Sequence, residues 1–161
     1  MIGWRARLGF LVPPGNPTVE PEMMALAPDG VTTHFNRMVA RGLPGSLDGQ
    51  SERNRMMIDN IDASIEMLAL VKPDVIVLAH TATSYYLGRQ GEAELITRLE
   101  RATGTRLVTA FGSVLQAFER LNVRKVALGA PYLTRDHLAG QGASRSPRPR
   151  GGEFRQFEGR H

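Results

Sequence analysis

The segment 13–17, Pro-Pro-Gly-Asn-Pro, joins an apolar run to a helix signal, and its residue types suit the binding of a small polar ligand. The rings of Pro13 and Pro14 fix the backbone, and Gly15 permits a ligand to approach closely. The side chain of Asn16 offers both a hydrogen-bond donor and an acceptor. Pro13, Pro14 and Asn16 are therefore candidate ligand contacts. The alternative for Asn16 is a turn residue that bonds its own loop backbone.

The segment 80–84, His-Thr-Ala-Thr-Ser, follows a second apolar run and carries groups that can hold an anion. The hydroxyls of Thr81, Thr83 and Ser84, with backbone N–H groups at the start of a following helix, can donate to a carboxylate. Capping of that helix is the alternative role, and the two roles are compatible. Since imidazole titrates near neutral pH, His80 is the candidate general acid or base, with a structural role as the alternative.

Apolar runs and helical periodicities alternate along the chain, which predicts a parallel sheet with helices on both faces. We expect a flavodoxin-like α/β fold, a three-layer αβα sandwich of about five strands in the order 2-1-3-4-5. In that order the first and third strands are neighbours, so the segments 13–16 and 80–84 face a common ligand. Strands are predicted at residues 7–12, 31–39, 75–79, 106–109 and 125–128, and helices at 19–26, 52–71, 92–103, 113–121 and from about 134.

Three local features accompany this pattern. Thr18 is the predicted N-cap of the first helix. Residues 42–51 are rich in Gly, Ser and Pro and form a loop, either a lid or an ordinary surface connection. The helix at 52–71 has an apolar face that we expect in the core, made of Met57, Ile58, Ile61, Ile65 and Leu68.

Composition excludes several kinds of site and location. The 161 residues include no cysteine, so they supply no disulfide, thiolate metal site or cysteine nucleophile. Histidines and carboxylates do not cluster at ligand spacing, so no metal site is predicted. No apolar run approaches the roughly 20 residues of a membrane span, and the amino terminus lacks a signal-peptide pattern. We therefore expect a cytoplasmic protein with no membrane partner.

The formal net charge of +4 is concentrated at the end of the chain. Residues 138–161 contain five arginines and two glutamates, together with many Pro, Gly and Ser residues and no helical or strand period. Nucleic-acid binders carry their basic face on a folded element. We therefore do not expect nucleic acid as a partner, and we interpret residues 138–161 as a disordered basic tail.

Three segments give the chain a resemblance to the aspartate/glutamate racemase superfamily, in the branch of maleate cis–trans isomerase and arylmalonate decarboxylase. The segment 12–22 is similar to the isomerase pattern of Val-Pro, Asn, Thr and Glu-Pro-Glu. The segments 81–88 and 123–133 match in order and spacing. The resemblance covers roughly residues 5–137, and it implies the first of two facing domains that hold a small carboxylic acid between them.

The resemblance also implies a chemistry without metal or organic cofactor. Racemases of the superfamily use one cysteine from each domain, and the decarboxylase branch has glycine in place of the first, followed by Thr-Ser. Matching that pair to Thr83 and Ser84 places Ala82 at the first cysteine position. In the decarboxylase-like pattern the hydroxyls and backbone amides there hold a carboxylate. Tyr132 falls where that pattern has a ligand-contacting tyrosine, with packing beside Pro131 as the alternative.

The resemblance and the residues lead to two functional hypotheses. The first is an isomerase, racemase or decarboxylase that acts on a small carboxylic acid and is impaired here by loss of the second domain. The second is a catalytically silent carboxylate-binding domain. The tail is consistent with a frameshift near Gly140, with a natural tail that folds on a partner as the alternative. Apolar surface meant for a second domain would favour self-association.

Overall fold

A computed structural model describes residues 2–41 and 49–126. Parallel strands and helices alternate through most of these residues, as the sequence pattern predicts. Among the described residues, no helix is long and apolar enough to cross a membrane. The strands are β1 (Ala6–Val12), β2 (Val31–Arg37), β3 (Val75–Leu78) and β4 (Arg106–Thr109), and the helices are α1 (Val19–Leu26), α2 (Gln50–Asp59), α3 (Ile61–Ala69), α4 (Thr81–Thr103) and α5 (Ala110–Arg120).

The sheet confirms the expected strand order for the strands that the structure describes. Its order is β2-β1-β3-β4, with every pair parallel. Phe10 in β1 lies opposite Phe35 in β2 and Val77 in β3, which sets the register on both sides of the central strand. The predicted fifth strand at 125–128 is not formed at Lys125 and Val126, and its remainder lies outside the described residues.

The buried core lies between one face of the sheet and helices α2, α3 and α4. The strands point alternate apolar side chains toward these helices, as expected for a period of two. Gly9 belongs to this face, and a Cβ there would lie 3.1 Å from Cδ2 of Leu68, so glycine lets α3 pack close to β1. The core cluster comprises Leu11, Met38, Met57, Ile61, Ile65, Leu68, Ile76, Leu78, Leu95, Leu99 and Leu107.

The prediction of one helix over residues 52–71 was wrong, because two helices meet at Asn60. The backbone of Asn60 has φ −104° and ψ 12°, and its Nδ2 donates to the carbonyl of Met56 at 2.8 Å. A side-chain amide that bonds the local backbone competes with helix hydrogen bonding. The predicted apolar face is buried nonetheless, except that Ile58 is only partly buried.

The prediction that the helix after β3 spans residues 92–103, with the segment 80–84 in a loop before it, was also wrong. Helix α4 begins at Thr81, directly after the extended residue His80, and is interrupted at Gly88. Gly88 has φ 66° and ψ 178°, a backbone conformation that is essentially restricted to glycine. The sequence therefore folds as two helical segments where a loop and a helix were expected, and the second ends before Gly104 as predicted.

The second face of the sheet is less completely covered than the first. Phe10 and Phe35 stack there at 5.3 Å, while Leu8, Val75, Val77 and Val108 remain partly buried. Neither α1 nor α5 contains a fully buried residue. Large apolar side chains on these helices are exposed, as expected for a surface that meets a partner, and self-association stays a prediction. They include Met24, Leu26 and Val114, with Leu121 just after α5.

Ile65→Ala is expected to lower the free energy of unfolding by about 2–5 kcal/mol, because it removes a fully buried side chain and leaves a cavity. Met67→Ala is the matched control on the same helix, since the side chain of Met67 is 64% exposed. Denaturant unfolding of both variants measures the difference. Equal losses for the two variants would contradict the assignment of the core to this face of α3.

Candidate functional site

The two sequence-predicted segments emerge side by side at the carboxyl edge of the sheet. β1 pairs directly with β3, and the amide of Ala79 donates to the carbonyl of Leu11 at 2.9 Å beyond the last paired residues. The chain leaves β1 into the turn 13–16 and leaves β3 at His80. This juncture is where ligands bind in open α/β sheets.

The turn 13–16 is closed by its own backbone and then caps α1. The amide of Asn16 donates to the carbonyl of Pro13 at 3.1 Å. The Asn16 Oδ1 accepts from the amides of Thr18 and Val19 at 2.9 and 3.0 Å. Thr18 occupies the N-cap position, as predicted, but its side chain makes no capping bond, because Asn16 supplies the acceptor. Pro13 is partly buried and Pro14 is exposed.

The structure thus shows the local role of Asn16 for one of its two polar atoms. The Oδ1 is committed to the start of α1, while Nδ2 bonds to no described residue. A carboxylate contact through Asn16 therefore falls to Nδ2 alone. That contact stays a prediction.

Arg37, at the end of β2, holds the turn from the side and was missed by the sequence analysis. Its Nη1 donates to the carbonyls of Pro13, Pro14 and Asn16 at 3.3, 2.9 and 3.0 Å. Its Nη2 forms an ion pair with Glu20 at 2.9 Å. Prolines lack an N–H, so this turn has carbonyls in excess of donors, and a basic residue ending the neighbouring strand was the available signal.

His80 and Thr83 form a closed pair at the start of α4. The His80 Nδ1 lies 2.9 Å from Oγ1 of Thr83, and the Thr83 amide donates to the His80 carbonyl at 3.2 Å. Thr83 is fully buried. Burial of the imidazole lowers the pKa of His80 from 6.5 to about 4, because desolvation penalises the charged form. His80 is therefore neutral at pH 7 and adds no positive charge to the edge.

Ser84 and Glu92 form a second closed pair, which spans the interruption of α4 at Gly88. The Ser84 hydroxyl donates to Oε1 of Glu92 at 2.6 Å, and both side chains are buried. The proton of this hydroxyl is thus held by a carboxylate of the chain itself. The sequence analysis did not identify Glu92. The glycine four residues before it was the signal that the helix bends there.

The remaining candidate residues differ in burial, and some lie outside the described part of the chain. Ala82 is buried beside Thr83, while Thr81 is partly buried at the first position of α4. Gln50 begins α2, and its buried Oε1 has no partner within the described part of the chain. Tyr132 and most of the loop 42–51 lie outside the described residues.

The structure brings the two groups of predicted residues to neighbouring strand ends but does not join them. Within residues 2–41 and 49–126, no hydrogen bond links the turn 13–16 to the start of α4, and no cluster of three His, Asp or Glu side chains could hold a metal ion. Two surface depressions lie elsewhere. One follows the exposed face of α4 around Arg98, and the other lies at the opposite edge of the sheet around Trp4.

Lowering the pH from about 7 to about 4 is expected to reduce the free energy of unfolding by up to about 3 kcal/mol through His80 alone. The folded-state pKa of about 4 is below the ordinary value of 6.5, so the unfolded chain takes up the proton first. This contribution is lost as the pH falls between those two values and is constant below them. His80→Gln should remove that part of the pH dependence in denaturant unfolding. The same slope in both proteins would contradict the buried neutral imidazole.

Arg37→Met is expected to lower the free energy of unfolding by about 1 kcal/mol and to speed amide exchange at Asn16, Thr18 and Val19. The variant keeps an apolar stem but removes the donors that hold the turn 13–16. Arg55→Met is the control, because Arg55 pairs only with exposed carboxylates along its own helix. Exchange rates by NMR that are unchanged in Arg37→Met would show that the turn does not depend on this guanidinium.

Comparisons with known proteins place this geometry in a family. Maleate isomerase from Pseudomonas putida (strain KT2440) is 26% identical over 143 residues, which cover 79% of this chain and 53% of that protein. A maleate isomerase variant from Pseudomonas putida S16, solved with maleate, has a TM-score of 0.75 at 21% identity, covering 94% of this chain and 62% of that one.

A third relative extends the comparison to another organism. A variant of maleate cis-trans isomerase from Nocardia farcinica, solved with a covalently bound succinylcysteine intermediate, has a TM-score of 0.71 at 22% identity. The match covers 95% of this chain and 62% of that one. The chain thus spans less than two thirds of the length of these relatives, and the two structures show that it shares their fold.

The family model described as arylmalonate decarboxylase matches residues 8–139, which include both strand-end segments and the turn between β1 and α1. This match covers most of the chain, and so the protein belongs to the arylmalonate decarboxylase family.

Proposed function

We propose that this chain forms the carboxylate-binding part of a cofactor-independent enzyme that isomerises, racemises or decarboxylates a small carboxylic acid, such as maleate or an arylmalonate. One observation carries the proposal. The family match spans both segments that follow β1 and β3, and these are adjacent strands. The maleate isomerase of Pseudomonas putida supports the choice of a dicarboxylic acid as substrate class.

In this proposal, the start of α4 holds one carboxylate group of the substrate. Backbone N–H groups in the first turn of a helix point outward, and the helix dipole favours an anion there. Ala82 is small enough to let a carboxylate reach these amides. Because His80 is neutral at pH 7, the attraction comes from the backbone amides at the start of α4 and from the Thr83 hydroxyl, and not from an imidazolium. The Ser84 hydroxyl does not contribute, because it donates to Glu92.

The ring nitrogen of His80 that carries the proton decides whether the Thr83 hydroxyl can donate to the ligand. If Nδ1 of His80 carries the proton, it donates to Oγ1 of Thr83, and the Thr83 hydroxyl is free to donate to the ligand. With the proton on Nε2, Thr83 must donate to the imidazole instead. We therefore assign His80 the Nδ1-protonated form in the ligand-bound protein. The role of His80 as a general acid or base stays a prediction.

The turn 13–16 holds the second carboxylate group in this proposal. Nδ2 of Asn16 is a donor that bonds no residue in the described part of the chain, and its direction is set because Oδ1 accepts from the start of α1. Arg37 adds positive charge beneath the turn, partly offset by Glu20. Two donors on neighbouring strand ends would suit a dicarboxylate better than a monocarboxylate.

The covalent chemistry needs a group that the 161 residues do not contain. The Nocardia farcinica relative holds a succinylcysteine intermediate, in which a cysteine is bonded to the C4 acid. This chain has no cysteine. We therefore keep a catalytically silent carboxylate-binding domain as the second candidate function, favoured by that composition. In the first candidate function, the enzyme, the thiol is supplied by a cysteine outside these 161 residues.

Thr83→Val is expected to weaken maleate binding by about tenfold, because it replaces a buried hydroxyl donor by a methyl group of the same shape. Thr97→Val is the control, since Thr97 lies on the exposed face of α4 and bonds only the carbonyl of Ala93. Titrations of the ¹⁵N-labelled chain with maleate, aspartate and phenylmalonate, followed by NMR, give the dissociation constants. One-dimensional ¹H spectra of the same samples detect isomerisation or decarboxylation, and in D₂O racemisation is seen as loss of the α-proton signal of aspartate.

The outcomes separate the two functions. Turnover of any of the three acids by this chain would rule out the silent domain. Binding without turnover would favour it. Absence of binding of all three acids at millimolar concentration would contradict both, and equal affinities of the two valine variants would remove Thr83 from the site.

A further inference from the structure

Glu92 is a buried carboxylate that the proposed binding chemistry does not use. Its side chain lies in the second part of α4 and is 8% exposed. Burying a carboxylate is costly unless strong hydrogen bonds compensate. Here the compensating hydrogen bond comes from the Ser84 hydroxyl, which donates to Glu92 at 2.6 Å. Ser84 is itself fully buried. Hydrogen bonds to an ionised acceptor are shorter and stronger than neutral ones.

The bend at Gly88 is what lets these two side chains meet. In a continuous helix, residues eight positions apart are separated by about 12 Å along the axis, too far for a direct bond. Gly88 breaks the helix between them with a left-handed φ of 66°. A Cβ at this glycine would meet nothing within 4 Å, so the glycine is required by the backbone and not by crowding.

The Ser84–Glu92 bond therefore fixes the direction of the segment 81–87 relative to the rest of α4. On one side this segment is held by the packing of Tyr85 against the Phe111 ring, with centroids 5.0 Å apart. On the other side, the bond to Glu92 ties it across the bend. The same segment carries the amides and the Thr83 hydroxyl that we assign to the ligand.

We propose that Glu92 is a positioning residue, which holds the anion-binding first turn of α4 in place through its hydrogen bond to Ser84. The inference rests on the proposed function for its effect on ligand affinity. Its structural part, the dependence of the segment 81–87 on Glu92, stands independently. Glu92 itself touches no substrate and is not a catalytic residue.

Two readouts on the full chain test this role. The amide shifts of residues 81–87 without ligand report the position of the segment, and the NMR titration with maleate reports affinity. Glu92→Ala is expected to move those shifts and to weaken maleate binding by about tenfold, as expected for loss of a hydrogen bond to a charged group. Glu92→Gln keeps an acceptor oxygen and the side-chain volume, so it should restore most of the affinity.

Matched variants separate positioning from general stability. Glu94→Ala is the control, because Glu94 is exposed on the same helix and, among the described residues, bonds only Gln90. Ser84→Ala combined with Glu92→Ala should bind maleate no more weakly than the weaker single variant, since both remove one interaction. Circular dichroism confirms that each variant is folded at the temperature of the titration.

Each outcome decides one of the two claims. Unchanged amide shifts in Glu92→Ala overturn the positioning role, as does unchanged maleate affinity when the native chain binds. Additive losses in the double variant also overturn it, because Glu92 would then act independently of Ser84. If the native chain binds none of the three acids while the shifts of 81–87 still move, the proposed function fails and the positioning of the segment by Glu92 stands.

Discussion

The direct parallel pairing of β1 with β3 is the constraint on which the candidate site depends. It brings together two chain segments that are more than sixty residues apart in sequence, and it does so at the edge where both strands end. The pairing is stabilised from one side by the apolar core between the sheet and α3, where Gly9 allows close approach. A change of one residue in its register would turn the side chains of one of the two strands, and with them Leu11 or Leu78, away from that core.

Several polar groups at this edge, both buried and exposed, are paired within the chain before any ligand arrives. Asn16 caps α1, Arg37 donates to carbonyls of the turn 13–16, and Ser84 donates to Glu92. Since an unpaired buried polar group costs more than a bond contributes, these pairs define one arrangement and exclude others. The edge is thereby preorganised, and a ligand would not have to order it.

The sequence predicts the scaffold better than it predicts the contacts. The alternation of strands and helices follows from the hydrophobic period and from the turn residues. The strand order and the buried face of α3 could therefore be predicted from the sequence. The break at Asn60 could not, because a single polar residue within a helical pattern is usually tolerated. The early start of α4 at Thr81 was missed because Gly88 separates this segment from the predicted helix. Arg37 and Glu92 were missed for another reason. Their partners are set by tertiary geometry, and neither lies in a motif.

Pairing of the side chains also limits how an anion can be held at the start of α4. Ser84 directs its proton to Glu92, so it does not offer that proton to a ligand while the bond persists. Thr83 offers its proton only when the imidazole of His80 donates to it. In the proposed site, recognition at this turn would therefore depend mainly on backbone amides, whose chemistry is the same whatever the side chain. Differences among family members in substrate would then arise from what faces these amides, consistent with one fold serving both an isomerase and a decarboxylase.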